Sequence, residues 1–426
     1  MNPSIRGLSG PTPVGHNSTE SSSPRRCRVS GPLEGVRVID LSRIVAGPLA
    51  TQILGDYGAA IIKIEQPGTG DDSRAWVPPK APDGSAAYFF SINRNKKSVT
   101  LNLKHPRGKE ILTALVRQGD VVIENFKPGT MEDLGLGYDV LREINPRIIY
   151  CAISGFGNSG PDRERAGYDS ILQGVSGLMS ITGERSGRPV KAGVAIVDEI
   201  TALYAHGAIL AALRHRDRTG RGQRVDLSLL ESGVATLMNA ANAYLMAGAV
   251  QGRWGSAHET VVPYQAFRAG DGGYLIAGCG NERQWKNFCK VIGAPEWADD
   301  PRFDTNGKRV ERRDELVPLI EARLAAGSRD HWIRELVEAG LPAGPINTID
   351  QTFADPQVLH RGMVQEVQHP TCGRVRLVGI PVKFSDSPGE ITLAPPLLGQ
   401  HTAEVLGTLL GMSPDEIDDL KRQGVV

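Results

Sequence analysis

The sequence predicts an α/β fold with a large Rossmann-like domain and a smaller α+β domain. Apolar runs of strand type alternate with helical periodicity between residues 31 and 160, which is typical of βαβ units around a parallel sheet. Residues 260–345 instead combine short strands with charged helices. The chain has 426 residues, which favours two domains over one simple core.

The first unit of the predicted sheet is a strand, a helix and a strand joined by short links. VRVIDL is strand-like, IVAGPLATQILGDYG has helical periodicity, and AAIIKIE is a second strand. The alternation continues with SVTLNL, the helix HPRGKEILTALVRQ with its early proline, and the strands DVVIENF and RIIYCAISGFG. In such a doubly wound sheet, ligands bind at the carboxyl ends of the strands.

The rest of the chain divides into a long helix, a smaller domain and a return segment. The helix DEITALYAHGAILAALRHRDRTG ends at Gly220, and RGQRVDLSLLESGVATLMNAANAYLMAG predicts a strand and a mostly buried helix. RVRLVGIPVKF and the last helix predict a return to the large domain. The predicted divisions are an N-terminal extension (1–30), the large domain (31–224), the smaller domain (225–344) and the return segment (345–426).

Residues 1–30 are rich in Ser, Pro, Gly and Asn, and they predict a disordered extension. No apolar segment typical of a secretory signal is visible. The stretch is also rich in Arg and Ser and poor in acids, as transit peptides are, although Pro11, Pro13 and Pro24 oppose a helix. We expect a cytoplasmic protein, with the mitochondrial matrix as the alternative if residues 1–30 are a transit peptide.

The composition argues against several classes of function. Lys and Arg total 48 and Asp and Glu total 48, so no basic field exists to attract nucleic acid or anionic lipid. No apolar run approaches the length of a membrane span, so no membrane contact is expected. The five cysteines and the dispersed histidines form no metal-ligand spacing, so neither a metal nor a disulfide is expected.

Two segments lie where ligands of a parallel sheet bind. NRNKKSVTLNLK surrounds a strand with basic side chains, including Arg94 and Lys104, either as a solvated face or as a patch for nucleotide phosphates. After the strand VVIENF, Phe126 can stack on a base and Asn125 can bond to it. The first turn lacks a GxGxxG motif, so a nicotinamide dinucleotide is not expected.

KAGVAIVDEITALYAHGAILAAL places two acids at the mouth of an apolar helix. Asp198 fits a helix cap, because its oxygen can accept an orphan backbone N–H and its charge suits the positive helix end. An attacking carboxylate would occupy the same position. Asp169, in RAGYDSILQ, also fits a helix cap.

The chain resembles the class III coenzyme A transferases (CaiB/BaiF type), a family that includes formyl-CoA:oxalate transferase and α-methylacyl-CoA racemase. The segments that carry the resemblance span residues 32–426: PLEGVRVIDLSRIVAGPLATQILGDYGAAIIKIEQPGTGDDSR, NRNKKSVTLNLK, VIENFKPG, AGYD, GVAIVD, TGRGQRVDLSLLES and PLLGQHTAEVL. Within the family, RWGSAHETVVPYQAF and ADPQVLHRGMVQEVQHPTCG look most like the succinyl-CoA:glutarate CoA-transferases.

The resemblance implies that Asp198 is the nucleophile. Its carboxylate would attack an acyl-CoA thioester to form a mixed anhydride, and the released CoA would then form an aspartyl-CoA thioester. The implied function moves CoA from an acyl-CoA, such as succinyl-CoA, to a dicarboxylate such as glutarate. No cofactor is bound permanently, because the CoA thioester is itself a substrate.

The resemblance also implies residues that contact CoA. They are Ile44, Val45, Ala46, Gln66, Leu101, Lys104, Asn125, Phe126, Lys127, Gly167, Tyr168 and Asp169. The chain departs from formyl-CoA transferase at Val45, where that enzyme has glutamine, and at Gln66 and Asp133, where it has arginines. GRWGSAHETVV replaces a run of glycines over the active site, so oxalate is a less suitable acceptor.

Three further residues are candidates for holding the far carboxylate of the acceptor: Arg94, His258 and Tyr264. The alternative functions are a formyl-CoA:oxalate type of transfer and α-methylacyl-CoA racemisation. The racemase needs a second base, and in that branch a histidine stands where this chain has Tyr168, a poor base near neutral pH. The family implies an interlocked homodimer of two such chains.

Overall fold

The computed structural model describes residues 31–426, and the predicted N-terminal extension (1–30) lies outside them. The first part of the chain forms six strands and nine α-helices: β1 (Arg37–Asp40), α1 (Ala46–Asp56), β2 (Ala60–Glu65), α2 (Ala87–Ser91), β3 (Lys96–Thr100), α3 (Pro106–Arg117), β4 (Val121–Glu124), α4 (Thr130–Asp133), α5 (Tyr138–Ile144), β5 (Ile149–Ser154), α6 (Asp169–Val175), α7 (Ile196–Thr219), β6 (Arg224–Ser228), α8 (Leu229–Thr236) and α9 (Met238–Ala247).

The remaining elements form the smaller domain and the C-terminal segment. They are β7 (Tyr264–Arg268), β8 (Tyr274–Gly278), α10 (Glu282–Val291), α11 (Asn306–Glu311), α12 (Arg313–Leu324), α13 (Arg329–Glu338), β9 (Ala343–Pro345), α14 (Ile349–Ala354), α15 (Pro356–His360), β10 (Val364–His369), β11 (Gly373–Val378), α16 (Thr402–Leu410) and α17 (Pro414–Arg422).

The six strands β1–β6 form one parallel sheet in the order β3-β2-β1-β4-β5-β6. This is the doubly wound order, and it confirms the predicted α/β class with a parallel sheet. The order in which strands are added to the sheet reverses between β1 and β4, so the carboxyl ends of these two parallel strands flank a crevice in which ligands of such folds bind.

Helices cover both faces of the parallel sheet, which explains why its central strands are continuous apolar runs. One buried core joins the sheet to α3, α5, α16 and α17. The opposite core joins it to α1, α7 and α8. A third core belongs to the smaller domain, in which β7, β8 and β9 form an antiparallel sheet backed by α10, α12 and α13.

The first boundary of the smaller domain lies later than residue 225. β6 begins at Arg224 and pairs with β5, and Leu229 at the start of α8 is buried in the core shared with α7. The buried core of the smaller domain instead runs from Val262 to Leu341. RVDLS alternates half-buried and exposed residues at the sheet edge, a pattern too weak to assign it to the large sheet from sequence.

Two apolar helices of the large domain have contrasting environments. α7 alone, among residues 31–426, is long and apolar enough to cross a membrane by length and composition. In the fold it packs against α1, α8, β5 and β6, and its buried side chains belong to a core. α9 was expected to be mostly buried, but none of its residues is buried.

Candidate active site

The N-terminus of α7 is capped by a carboxylate from another helix. The residue preceding α7 is Ala195, which has no capping side chain. Asp169 Oδ1 accepts hydrogen bonds from the backbone N–H groups of Val197 (2.9 Å) and Asp198 (3.3 Å). Its other oxygen accepts a 2.6 Å bond from Gln173 Nε2. Asp198 is therefore not the cap of α7, and Asp169 does not cap its own helix, which Tyr168 precedes.

Asp198 is left with a buried and unpartnered carboxylate. It is 9% exposed, and no donor within residues 31–426 forms a hydrogen bond with its oxygens. Burial, together with the nearby charges of Asp169 and Glu199, raises the pKa of Asp198 to about 7. A carboxylate that lacks solvent and hydrogen bonds is a more reactive nucleophile than one that is solvated or bonded.

Tyr88 on α2 lies within electrostatic range of the same three acids, and sequence reasoning missed it. Burial raises the pKa of its hydroxyl, and the charges of Asp198, Asp169 and Glu199 add to the increase. Its ring packs edge-on against Trp76 with 5.0 Å between centroids. The available sequence signal was the aromatic run AYFFS directly before NRNKK. The raised pKa keeps this tyrosine neutral, so its hydroxyl is a hydrogen-bond donor in the electrostatic neighbourhood of the acids.

A cavity of about 200 Å³ opens at the carboxyl ends of β1–β4. Four of the predicted CoA contacts line it together: Gln66, Leu101, Lys104 and Phe126. Arg43 also lines it and lies 5.5 Å from the centre of the Phe126 ring. The cavity thus combines an aromatic surface with cationic groups, which suits a base and its phosphates.

The other predicted CoA contacts do not line this cavity. Ile44 has a φ of 71°, a region that β-branched residues avoid, and Val45 and Ala46 are buried at the start of α1. Lys127 forms an exposed 2.9 Å ion pair with Glu164. Gly167 lies against Gly155, so closely that a side chain at residue 167 would meet the Gly155 backbone, while Tyr168 is exposed.

The amide of Asn125 bonds to the backbone of the turn after β1. Its Oδ1 accepts a 2.8 Å bond from the Arg43 N–H, and its Nδ2 donates a 2.7 Å bond to the Arg43 carbonyl. The amide keeps a second N–H and a second lone pair, so the bond from Asn125 to a base stays a prediction. The side chain ties the turn after β1 to the end of β4.

Arg94 is unable to hold the carboxylate of a substrate. The guanidinium is buried and donates to both carboxylate oxygens of Asp56, at 2.9 and 2.6 Å, and to the carbonyl of Val378 at 2.7 Å. The arginine joins the end of α1 to β11. The prediction failed because the partners of Arg94 lie far along the chain, where no local pattern in NRNKK could indicate them. Lys96 in the same segment is also fully buried, paired with Asp40.

His258 and Tyr264 lie together in the smaller domain. Their rings stack with 5.5 Å between centroids, and His258 Nδ1 accepts a 3.2 Å bond from the Thr260 N–H. The His258 carbonyl accepts a 2.7 Å bond from Arg313. The exposed ring of Tyr264 and the other nitrogen of His258 face away from these bonds and remain candidates for contact with an acceptor.

Within residues 31–426, one group of side chains has the composition of a metal site: Asp83, His369 and Cys372, whose ligand atoms lie within 4.8 Å of one another. His369 Nδ1, however, accepts the backbone N–H groups of Thr371 (3.3 Å) and Cys372 (3.1 Å). These bonds use the lone pair of Nδ1, so only Nε2, which has no hydrogen-bond partner within residues 31–426, would be free for a metal. The sequence had not predicted this group, because Asp83 is remote from the β10–β11 turn.

Comparison with known proteins identifies the family of the chain. Residues 33–402 match the model of CoA-transferase family III. The chain is 45% identical to the succinyl-CoA:glutarate CoA-transferase of Mus musculus over 421 residues, which cover 99% of this chain and 95% of the relative. It is 43% identical to the succinate–glutarate CoA-transferase of Agrobacterium fabrum, covering 89% of this chain and 96% of the relative.

The fold has a solved counterpart of comparable similarity. A crystal structure of a CAIB/BAIF family protein from Brucella suis superposes with a TM-score of 0.80 at 43% identity, covering 89% of this chain and all of that chain (100%). The family match, the relatives and the fold all agree with the resemblance read from the sequence. The chain belongs to CoA-transferase family III.

Proposed function

We propose that the protein transfers CoA from succinyl-CoA to glutarate, with Asp198 as the nucleophile. The observation that carries the proposal is the buried, unpartnered Asp198 carboxylate at the first turn of α7. The choice of acids is supported by relatives named for succinyl-CoA and glutarate that match nearly the whole chain. Both supports are independent, since one concerns the chemistry and the other the specificity.

The proposed reaction has four steps and regenerates the enzyme. The Asp198 carboxylate attacks the thioester carbonyl of succinyl-CoA, the C–S bond breaks, and CoA thiolate leaves a mixed anhydride. The thiolate attacks the Asp198 carbonyl carbon, and succinate leaves an aspartyl-CoA thioester. A glutarate carboxylate then displaces the thiolate, which finally attacks the glutaryl carbon and frees Asp198. No net proton is taken up, and each displacement is nucleophilic catalysis.

The residues around Asp198 have distinct proposed parts in these steps. Burial keeps water from hydrolysing the anhydride. The Tyr88 hydroxyl is placed to donate a hydrogen bond to an oxyanion that forms beside the three acids. Asp169 holds the first turn of α7, and with it the attacking carboxylate, in position. In each attack, Asp169 therefore fixes the geometry of the Asp198 carboxylate, and Tyr88 stabilises the negative charge that forms.

The cavity at the carboxyl ends of β1–β4 is the proposed site for the nucleotide part of CoA. Phe126 offers a face for stacking a base, and Lys104 and Arg43 offer charge for phosphates. For the acceptor, His258 and Tyr264 stay as proposed contacts, since Arg94 is committed to Asp56.

We further propose that the protein is a homodimer. α9 has no buried residue, yet Leu245 is 76% exposed and Met246 is 87% exposed. Further exposed apolar side chains lie on α6, α7 and α8, at Ile171, Leu203 and Val234. An apolar surface of this extent is characteristic of a protein–protein contact, and the family resemblance names a second copy as the partner.

An acceptor panel tests the proposed function. Full-length protein is incubated with succinyl-CoA and glutarate, oxalate, acetate or no acid, and new thioesters are followed by mass spectrometry. Glutaryl-CoA should form fastest. Asp198→Asn should lower the rate by several powers of ten, whereas Asp217→Asn, the same change on the exposed last turn of α7, should not. Transfer that survives in Asp198→Asn would remove Asp198 from the mechanism.

A further inference from the structure

The turn that connects β1 to α1 has an unfavourable backbone conformation held by buried charges. We call residues Ser42–Ile44 the β1–α1 turn. Ile44 has a φ of 71°, in the left-handed region that branched side chains avoid. Such a residue persists only when its surroundings determine its conformation, and conformations of this kind cluster at functional sites. The question is which groups impose it.

Lys63 on β2 and Asp71 after β2 bond directly to the backbone of this turn. Lys63 Nζ donates a 2.8 Å bond to the Ser42 carbonyl, and the Ile44 N–H donates a 3.2 Å bond to Asp71 Oδ1. The two side chains form a 2.8 Å ion pair, and both are 0% exposed. The ion pair therefore bridges the two ends of the turn.

Other side chains fix the ion pair and the middle of the turn. Asp71 Oδ1 also accepts bonds from the Ser73 N–H (2.9 Å) and hydroxyl (2.7 Å). Although burial alone would raise the pKa of Asp71, the Lys63 ammonium and the Ser73 bonds lower it to about 2. Asn125 holds both backbone groups of Arg43 from the opposite side. The turn has no unconstrained backbone residue.

The anchored turn forms part of the wall of the proposed CoA cavity. Arg43, Lys63 and Asp71 all line that cavity, and the next residues, Val45 and Ala46, begin α1. Resting on the proposed function, we infer that Lys63 and Asp71 are positioning residues, which set the affinity for the CoA ester by fixing the β1–α1 turn. They do not touch the reacting atoms at Asp198, so they act on binding and not on the acyl transfer.

A charge-neutral replacement separates this role from a merely structural one. Buried ion pairs exchanged for apolar residues of similar size commonly leave a fold intact. The double variant Lys63→Met/Asp71→Leu therefore removes both bonds to the turn without leaving a buried charge. The matched control is Arg94→Met/Asp56→Leu, which removes a buried ion pair at the other end of α1 that does not bond to the turn.

The measurements are the Kd of free CoA, the KM of succinyl-CoA, kcat and the thermal unfolding midpoint. We expect Lys63→Met/Asp71→Leu to raise Kd and KM at least about tenfold with kcat within about twofold, as loss of two charge-assisted bonds implies. The control should leave Kd and KM unchanged. Adding Ile44→Gly, which accepts a positive φ without strain, should recover part of the lost affinity.

A folded double variant with wild-type Kd and KM would overturn the inference, as would a fall in kcat with unchanged KM. If the double variant does not fold, Ser73→Ala removes one bond to Asp71 and no charge, and it should still raise Kd and KM a fewfold; unchanged values would refute the positioning role. The test is separable from the proposed function, because Kd for CoA decides it even if glutarate proves to be no acceptor. A wild-type protein that binds no CoA would overturn both.

Discussion

Asp198 is kept in an environment that favours chemistry at the expense of stability. An ionised carboxylate without hydrogen bonds destabilises the folded state, because the unfolded chain would hydrate it. The folded pKa of about 7 lies above the ordinary value of 3.8. Between these values the folded state retains a proton that the unfolded chain has lost, so stability falls as pH rises through this window, and the full cost is present above pH 7.

Asp198→Asn should therefore stabilise the protein at high pH only. We expect a gain of about 4 kcal/mol in the free energy of unfolding at pH 8 and little gain near pH 3, where Asp198 is largely protonated in both states. Urea unfolding at the two pH values measures it, with Asp217→Asn as the exposed control. An equal gain at both pH values would show that the Asp198 charge does not cause the cost.

The same pKa sets the pH dependence of acyl transfer. Only the ionised carboxylate attacks, so kcat/KM for succinyl-CoA should rise with pH and reach half its maximum near pH 7. Stopped-flow measurement of CoA release over pH 5–9 gives the profile. A rate that stays constant down to pH 5 would indicate that Asp198 ionises at an ordinary pKa in the free enzyme.

At the scale of elements, α6 and α7 meet through one carboxylate with two effects. Asp169 stabilises the first turn of α7 by accepting two of its N–H groups, and its charge raises the pKa of Asp198. The first effect needs only an acceptor oxygen, whereas the second needs a negative charge. An amide replacement can therefore separate them.

Asp169→Asn keeps an acceptor oxygen for α7 and removes the charge. We expect the midpoint of the pH–rate profile to move down by about half a unit to one unit, because a like charge near Asp198 is lost. Asp169→Ala removes both effects, so it should also lower kcat at pH 8, since the cap is gone. A midpoint that does not move in Asp169→Asn would mean that burial alone raises the pKa.

Sequence patterns predicted the structure best where the residues that determine it are neighbours along the chain. The strands β1, β2, β4 and β5 are short apolar runs, because a central parallel strand is covered on both faces. Asp198 was proposed as the nucleophile from the family resemblance of GVAIVD, a local motif before an apolar helix. In both cases the residues that determine the structure are neighbours along the chain, so periodicity and motif contain the information.

Predictions failed where the partner lies far away in sequence. Arg94 reads as a basic surface residue, yet its guanidinium is buried against Asp56 and the carbonyl of Val378. Asp198 reads as a helix cap, yet the cap comes from Asp169 on another helix. Tyr88 has no motif, and only the packing of α2 directs it towards the acids. In each case, the environment of the side chain depends on residues that are distant in the sequence.

At the scale of the whole molecule, α9 was the least well predicted element. LMNAANAYLMAG is apolar, so burial within the chain was expected, but its large side chains are exposed. An apolar helix that is exposed in one chain can be buried between two chains, and the sequence pattern is the same in either case. The proposed homodimer would satisfy the pattern that the single chain leaves unsatisfied.

Charges placed on α9 should therefore disrupt the assembly. The double variant Leu245→Glu/Met246→Glu adds two carboxylates to the centre of the exposed apolar surface, and burying them in an interface would cost several kcal/mol. We expect sedimentation velocity to give a dimer for the wild type and a monomer for this variant, with succinyl-CoA transfer reduced in parallel. The control for these charges is Val337→Glu, which places a charge on an exposed apolar residue of α13 and should leave the mass of the assembly unchanged. Because α9 packs on no core of its own chain, the double variant should keep the wild-type circular dichroism spectrum. A dimer that tolerates both glutamates would locate the contact elsewhere, and a monomeric wild type would remove the homodimer from the proposal.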